Sequence, residues 1–466
     1  MQILDSTLRE GELFQIFPRE SRVAIASKLA ESGVKRIELT VDYPPRTTAE
    51  DLTGIISVLN EQGVEVILHG RALEEDVEAI AKYPVHGCGL YIAVSKLHRD
   101  HKLHGISEDQ ALDRLGKSVR AAKERGFNYI RATLEDASRL FLDDRDSFID
   151  SLGGRIDALR ESGATLISLP DTSGLLSPSL STEFFRIVKQ ASSLPVAAHF
   201  HNDYGLASAN AIQAALEGAE EVHATVMGIG DRNGISDLYE VVATLEDVHG
   251  VRTGVKRGSL RELYDYFAKV TGIPLPWRHP LSAEARTVRA GVHQSMTVKK
   301  NDGYIPLSKL TNDFGEPLYA VSAYISHNLV QAILNPHIAN VDPRTSRRVA
   351  ELLASSSAVS GAGSRLDSIQ TIIRQETGVE IPRQELTRFF GGERLYLLLK
   401  LHPQFPAARI VKELLEWDGI EAVDEVYGDA DMIVKAHTEY GKPNVVTMIR
   451  QKYADALLDL RVLVTD

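Results

Sequence analysis

The chain is short of several things, and each shortage removes a class of explanation. One cysteine, Cys88, stands among 466 residues, so no disulfide can form within the chain. Basic excess is missing: 52 Lys and Arg against 64 Asp and Glu give a formal charge of −12. That balance argues against a dedicated nucleic-acid surface, which needs surplus cations for phosphate. No apolar run approaches the ~18 residues of a membrane span, and no basic stretch followed by an apolar one begins the chain. A cytoplasmic protein without membrane or nucleic-acid partners is expected. What is there is ordinary for a soluble globular chain: 43% hydrophobic and 25% charged residues, at a length that allows two or three domains.

Short apolar runs with strand character recur at residues 2–4, 36–40, 64–69, 89–94, 129–133, 165–169, 195–201 and 221–226. Between them lie stretches of helical periodicity, among them 22–32, 109–125, 147–162, 182–191 and 207–217. Gly33, Gly63, Gly126, Gly163 and Gly218 stand where a helix C-terminus favours glycine. Eight strand–helix units before Gly250 fit a (β/α)8 TIM barrel better than an open doubly wound sheet. Beyond Gly250 the pattern is mainly helical, with a small-residue stretch at 354–363 that reads as a linker or tight helix junction. From Arg394 it changes to strand–helix–strand–strand–helix–strand, the ferredoxin-like order. The expected organisation is a barrel over 1–255, helical subdomains and linker over 256–393, and a ferredoxin-like domain over 394–466.

Chemistry concentrates at a few places. His199 and His201 follow the apolar run 194–198, and residues two apart on a strand point to the same side. Taken alone, such a pair more often satisfies hydrogen bonds than binds metal. Glu10, after the first strand, offers a third ligand. A Glu and two His leave coordination positions open, as a catalytic metal requires. Catalytic groups of this fold sit at the C-terminal ends of strands. Those positions hold Arg9 and Glu10, then His69 and Arg71, then Arg131, Thr133 and Glu135. Asp171 and Thr172 follow strand six, and Gly228 to Gly234 follow strand eight. Arg71 or Asp171, taken singly, is at least as readily a barrel-mouth salt bridge as a substrate contact.

With these residues in view, the barrel resembles the enzymes that condense acetyl-CoA with 2-oxo acids: homocitrate, 2-isopropylmalate and citramalate synthases. The matching motifs are D-S-T-L-R-E-G-E (5–12), R-A-T-x-E-D (131–136), D-T-S-G (171–174), H-F-H-N-D-Y-G-L-A-x-A-N (199–210), G-I-G-D-R-N-G-I (228–235) and A-G-V-H (290–293) with Tyr304. The first and fifth look most like homocitrate synthase. The C-terminal module resembles the small-molecule-binding domain of leucine-responsive-type regulators.

The resemblance implies that Glu10, His199 and His201 bind a divalent metal (Mn, Mg or Zn) that polarises the keto carbonyl. It implies that Arg9, oriented by Asp5, stabilises the developing oxyanion. Thr172 would hold the 2-oxo acid's carboxylate, and Arg131 with Thr133 would line the side-chain pocket. Arg71 is a further substrate contact at the mouth. Glu135, His293 and Tyr304 match the acid/base group that deprotonates the acetyl methyl, the last two coming from the partner subunit of a homodimer. Gly228, Gly230 and Gly234 would let the acetyl-CoA thioester approach the backbone. The expected reaction joins acetyl-CoA to 2-oxoglutarate to give homocitrate, for lysine synthesis, with lysine as effector of the C-terminal module. The departures are Leu13 for Gln, Val288 for His, Leu73 where a polar residue is often found, and the lack of a Gly-Lys-His-Ser-Gly-like segment around residues 320–327. They leave 2-isopropylmalate, citramalate or citrate formation as alternatives. A regulatory protein on a degenerate barrel is the alternative outside enzymes, and the retained Glu10, His199, His201, Arg9, Glu135, His293 and Tyr304 speak against it.

Overall fold

Eight short strands, each followed by helix, close on themselves: β1 (Gln2–Asp5), β2 (Arg36–Thr40), β3 (Glu65–Arg71), β4 (Gly87–Ala93), β5 (Tyr129–Glu135), β6 (Leu166–Ser168), β7 (Val196–Ala198) and β8 (Glu221–Ala224). They pair in parallel in chain order, and β8 returns to β1. This is the TIM barrel expected from the sequence. The computed structural model describes residues 1–41, 47–304, 316–356, 365–438 and 441–465. Two units result, Met1–Phe267 and Ala268–Asp466. The first continues past residue 255: the Tyr264 hydroxyl donates to Asp237 Oδ1 at 3.1 Å, and Phe267 packs edge-on against Phe17.

Local rules explain the elements. Gly33, Gly63, Gly126, Gly163 and Gly218 all have positive φ just past a helix, a conformation that costs glycine little. Helix Ala49–Glu61 opens on a reciprocal capping box between Thr48 and Asp51. Strand β7 stops at Ala198, so His199 and His201 lie just beyond it, tied down by single bridges of Phe200 to Asp171 and of His201 to Ile235.

The barrel interior is layered. Leu4, Ile67, Tyr129, Leu166 and Ala197 form one apolar cluster across the strands. Stepping by two along β2, β5 and β8 meets polar groups instead: Arg36 and Glu38, Tyr129 and Arg131, Glu221 and His223. Glu38, Arg131, Glu221 and His223 are at most 2% exposed. Buried charge is tolerable only when paired. Arg131 pairs with Glu38, and Arg36 pairs with both Glu65 and Glu221.

In the second unit, helices His327–Leu334, Pro343–Ser356, Arg365–Thr377 and Arg383–Phe390 gather around Leu329, Leu353, Ile369 and Leu386. Of the proposed 354–363 junction, residues 357–363 lie outside the described residues. The C-terminal part is a four-stranded antiparallel sheet of β9 (Arg394–Leu401), β10 (Ile420–Glu425), β11 (Met432–His437) and β12 (Leu457–Thr465). Its order β10-β11-β9-β12 is ferredoxin-like. Alternate residues Leu395, Leu397, Leu399 and Leu401 share a core with Ile410 and Leu414 of helix Ala407–Leu415 and Ile449 of helix Val445–Lys452.

Candidate functional site

Glu10, His199 and His201 converge at the C-terminal end of the barrel, with one ligand atom of each within 4.8 Å of the others. The two Nε2 atoms are 3.4 Å apart, and Glu10 Oε1 is 4.0 Å from His201 Nε2. Nitrogens at that separation can share one ion at about 2.1 Å from each. Burial, reinforced by His201 and His223, pushes the His199 imidazole well below its ordinary pKa, and burial likewise lowers His201. Both rings are therefore neutral near pH 7, the form that ligates. His201 Nδ1 is buried without a hydrogen-bond partner. The mixed carboxylate–imidazole set fits a divalent ion.

Glycine places the carboxylate. A Cβ at Gly230 would lie 2.8 Å from Glu10 Cγ, so the loop after β8 can close over Glu10 only without a side chain there. Gly228 and Gly234 have positive φ, and a Cβ on Gly234 would collide with the Gly228 carbonyl. The loop's own turns and the closeness of Glu10 therefore each demand glycine here. Among the described residues, five non-glycine residues have positive φ. Three of them, Asp136, Met227 and Arg232, cluster after β5 and β8, as strained backbone does at functional rims.

Arg9 lies beside the ligand set, with Nη1 on Glu10 and Nε donating to Glu38 Oε2 at 2.8 Å. Burial opposes its charge, but Glu10 and Glu38 outweigh that and raise its pKa. Glu38, also buried, is held well below the usual carboxylate range by Arg131 and Arg9. The orienting carboxylate is thus Glu38, where the sequence suggested Asp5. Asp5 instead accepts from the Thr7 backbone and hydroxyl at 2.9 and 3.0 Å, fixing the turn after β1.

Residues 1–266 match the family model described as HMGL-like. The chain belongs to that family. The 2-isopropylmalate synthase of Sulfolobus acidocaldarius is 33% identical over 66% of this chain and 78% of its own length. The homocitrate synthase of Saccharolobus solfataricus is 35% identical over 62% of each chain, so the match spans less than two thirds of that relative. Hydroxymethylglutaryl-CoA lyase from Pseudomonas aeruginosa superposes with a TM-score of 0.51 at 20% identity, covering 59% of this chain and 94% of that one. The last shows a shared fold.

Other expected site residues of this HMGL-like barrel are placed as follows. Arg131 is 1% exposed; it pairs with Glu38, and its Nε and Nη1 donate to Thr133 Oγ1 and Tyr129 Oη at 3.4 and 3.3 Å. Arg71 grips Asp76 through Nε and Nη2 at 3.0 and 2.7 Å. Thr172 Oγ1 accepts from the Asp136 backbone at 2.9 Å. Asp171 binds Ser138 and the backbone of Leu175 and Leu176, holding the loop after β6. Glu135 meets Lys102 Nζ at 2.7 and 2.8 Å. His293 and Tyr304 belong to the second unit, where they are exposed and their rings lie 3.9 Å apart. Leu13 is exposed, Leu73 precedes helix Glu74–Ile80, and Val288 is buried in the helical core.

Three residues escaped the sequence reading. Glu38, Glu221 and His223 sit in R-x-E and E-x-H alternations on buried strands, and that polar alternation was the available signal.

Proposed function

We propose that this chain catalyses a metal-dependent Claisen condensation of acetyl-CoA with a 2-oxo acid, with 2-oxoglutarate as acceptor and homocitrate as product. The observation that carries the reaction class is the convergence of Glu10, His199 and His201 beside Arg9. A divalent ion (Mn, Mg or Zn) held by those three would supply Lewis-acid polarisation of the keto carbonyl. Arg9, already desolvated and fixed by Glu38, aims a permanently charged donor at the oxyanion that develops there. The Thr172 hydroxyl accepts from Asp136 and keeps its proton to donate to the 1-carboxylate. Glu135, steadied by Lys102, accepts the methyl proton within an acid/base group that the partner subunit's His293 and Tyr304 complete. The carbon–carbon bond forms between that methyl carbon and the keto carbon as the C=O π pair moves to oxygen, the acid/base group returns a proton to that oxygen, and water cleaves the thioester to release coenzyme A.

The acceptor divides two readings. The R-E-G-E and G-I-G-D-R-N-G-I motifs favour 2-oxoglutarate. The enclosure of Arg131 by Glu38 favours an apolar acceptor such as 2-oxoisovalerate, because a second carboxylate would have to displace an existing buried ion pair. Thiol release from acetyl-CoA with a panel of 2-oxo acids, with and without chelator, tests both. A clear kcat/KM preference for 2-oxoglutarate supports homocitrate formation; preference for the branched acid overturns it and leaves the reaction class standing.

The ferredoxin-like domain is read as an amino-acid sensor that pairs between subunits of a homodimer, with lysine as effector. Its support is the resemblance to regulator domains together with the absence of any metal-type cluster among its described residues. Inhibition requires that lysine bind two states unequally. Lysine titration of the full chain is the test, and no response to any amino acid would leave the domain a structural role. A cytoplasmic setting is proposed with this function; no helix among the described residues is long and apolar enough to cross a membrane.

A further inference from the structure

Behind the ligand set lies a second line of imidazole and carboxylate. His199 turns Nε2 toward His201, and its other nitrogen, Nδ1, lies 3.2 Å from Nδ1 of His223. His223 Nε2 in turn lies 3.0 Å from Glu221 Oε1. Glu221 also accepts from the Tyr129 hydroxyl at 2.8 Å and pairs through Oε2 with Arg36. His199, His223 and Glu221 are 7%, 2% and 1% exposed, so bulk solvent hardly reaches them.

We propose that Glu221 and His223 are positioning residues that fix the proton of His199 on Nδ1 and so present a bare Nε2 to the metal. The inference rests on the metal reading of Glu10, His199 and His201. Donors and acceptors must alternate along this line of groups. An ionised carboxylate only accepts, so the His223 nitrogen facing Glu221 carries the proton. A neutral ring protonated at Nε2 has a bare Nδ1, which can only accept. His199 must then donate from Nδ1, and its Nε2 is left with a lone pair. Metal-bound histidines are commonly oriented in this way through the nitrogen that does not bind.

One neighbour could reverse the order. Arg131 Nη1 lies 3.2 Å from His223 Nε2 and, were it the donor there, would move each proton to the opposite nitrogen. His199 would then point an N–H at the metal position. Two facts decide against it. Arg131 Nη1 has an acceptor elsewhere, Tyr129 Oη at 3.3 Å, and its charge is met by Glu221 at 3.9 Å. A bare His223 Nε2 would also set its lone pair against a carboxylate oxygen at 3.0 Å.

The test is Mn2+ affinity of chelator-stripped protein, read by electron paramagnetic resonance, with thermal unfolding of the same samples. His223→Leu removes the acceptor, and a 10–100-fold weaker Kd is expected. His223→Gln can accept from His199 through its carbonyl and donate to Glu221 through its amide, and should return Kd to within a few-fold of the original. Glu221→Gln offers His223 an amide donor, permits the reversed proton order, and should weaken binding like His223→Leu. A merely structural role predicts that Kd does not distinguish Gln from Leu at 223. Wild-type Kd in folded His223→Leu, or in Glu221→Gln if the leucine variant does not fold, overturns the proposal. Failure of the unsubstituted protein to bind Mn2+ at all would overturn the metal reading itself.

Discussion

Gly89 on β4 faces Arg131 on β5 so closely that a Cβ at 89 would lie 2.5 Å from Arg131 Nη2 and 2.9 Å from Cζ. The guanidinium occupies the space that a side chain would need, and it is clamped there by Glu38. Gly89→Ala therefore cannot be relieved by swinging a loose side chain aside. The expected loss is about 1–3 kcal/mol of unfolding free energy, the usual cost of overpacking a filled interior. Because Glu38 also holds Arg9, kcat should fall along with stability. Denaturant unfolding and thiol-release kinetics of the variant check both.

Gly230 stands in the same relation to Glu10. A methyl at 230 would push against Cγ of the ligand carboxylate, 2.8 Å away. The barrel itself does not depend on that contact, so the melting temperature of stripped Gly230→Ala should change little. Its Mn2+ affinity is expected to fall by about 10–100-fold, as for a displaced ligand support. Equal affinity would show that Glu10 can be held without the glycine.

Asp5 gives a pH dependence. Burial raises its pKa from the ordinary value to about 7, against the opposing pull of the Thr7 hydrogen bonds. A carboxyl whose folded pKa lies above its unfolded value binds more protons when folded. Its favourable contribution is therefore complete below the unfolded pKa of about 4 and is lost as pH rises through 7. Asp5→Asn removes this titration. In chelator-stripped protein, the stability of Asp5→Asn relative to the original should rise between pH 5 and 8.5, by a few kcal/mol at most. A flat difference across that range would mean that Asp5 ionises in the fold as it does in water.

Much of this was legible in the chain. Period-two and helical patterns with glycine stops placed all eight barrel strands and the four of the C-terminal sheet, because each is local. Glu10, His199 and His201 were legible because strand ends of a barrel converge by construction. The interior network was not, because its pairs join Arg131 to Glu38 and Arg36 to Glu221, contacts made only once the barrel closes. For the same reason Asp5 was assigned the task that Glu38 performs. The closeness of Gly230 to Glu10 was not legible either, because that contact exists only in three dimensions.

Everything proposed for the barrel mouth depends on one divalent ion between Glu10, His199 and His201. An anomalous-difference map from a crystal of the full chain soaked in Mn2+ tests it most directly. A single strong peak per chain is expected at the barrel mouth, about 2.0–2.2 Å from a Glu10 oxygen and from Nε2 of both histidines. A peak elsewhere, or three side chains turned apart around an empty mouth, would contradict it.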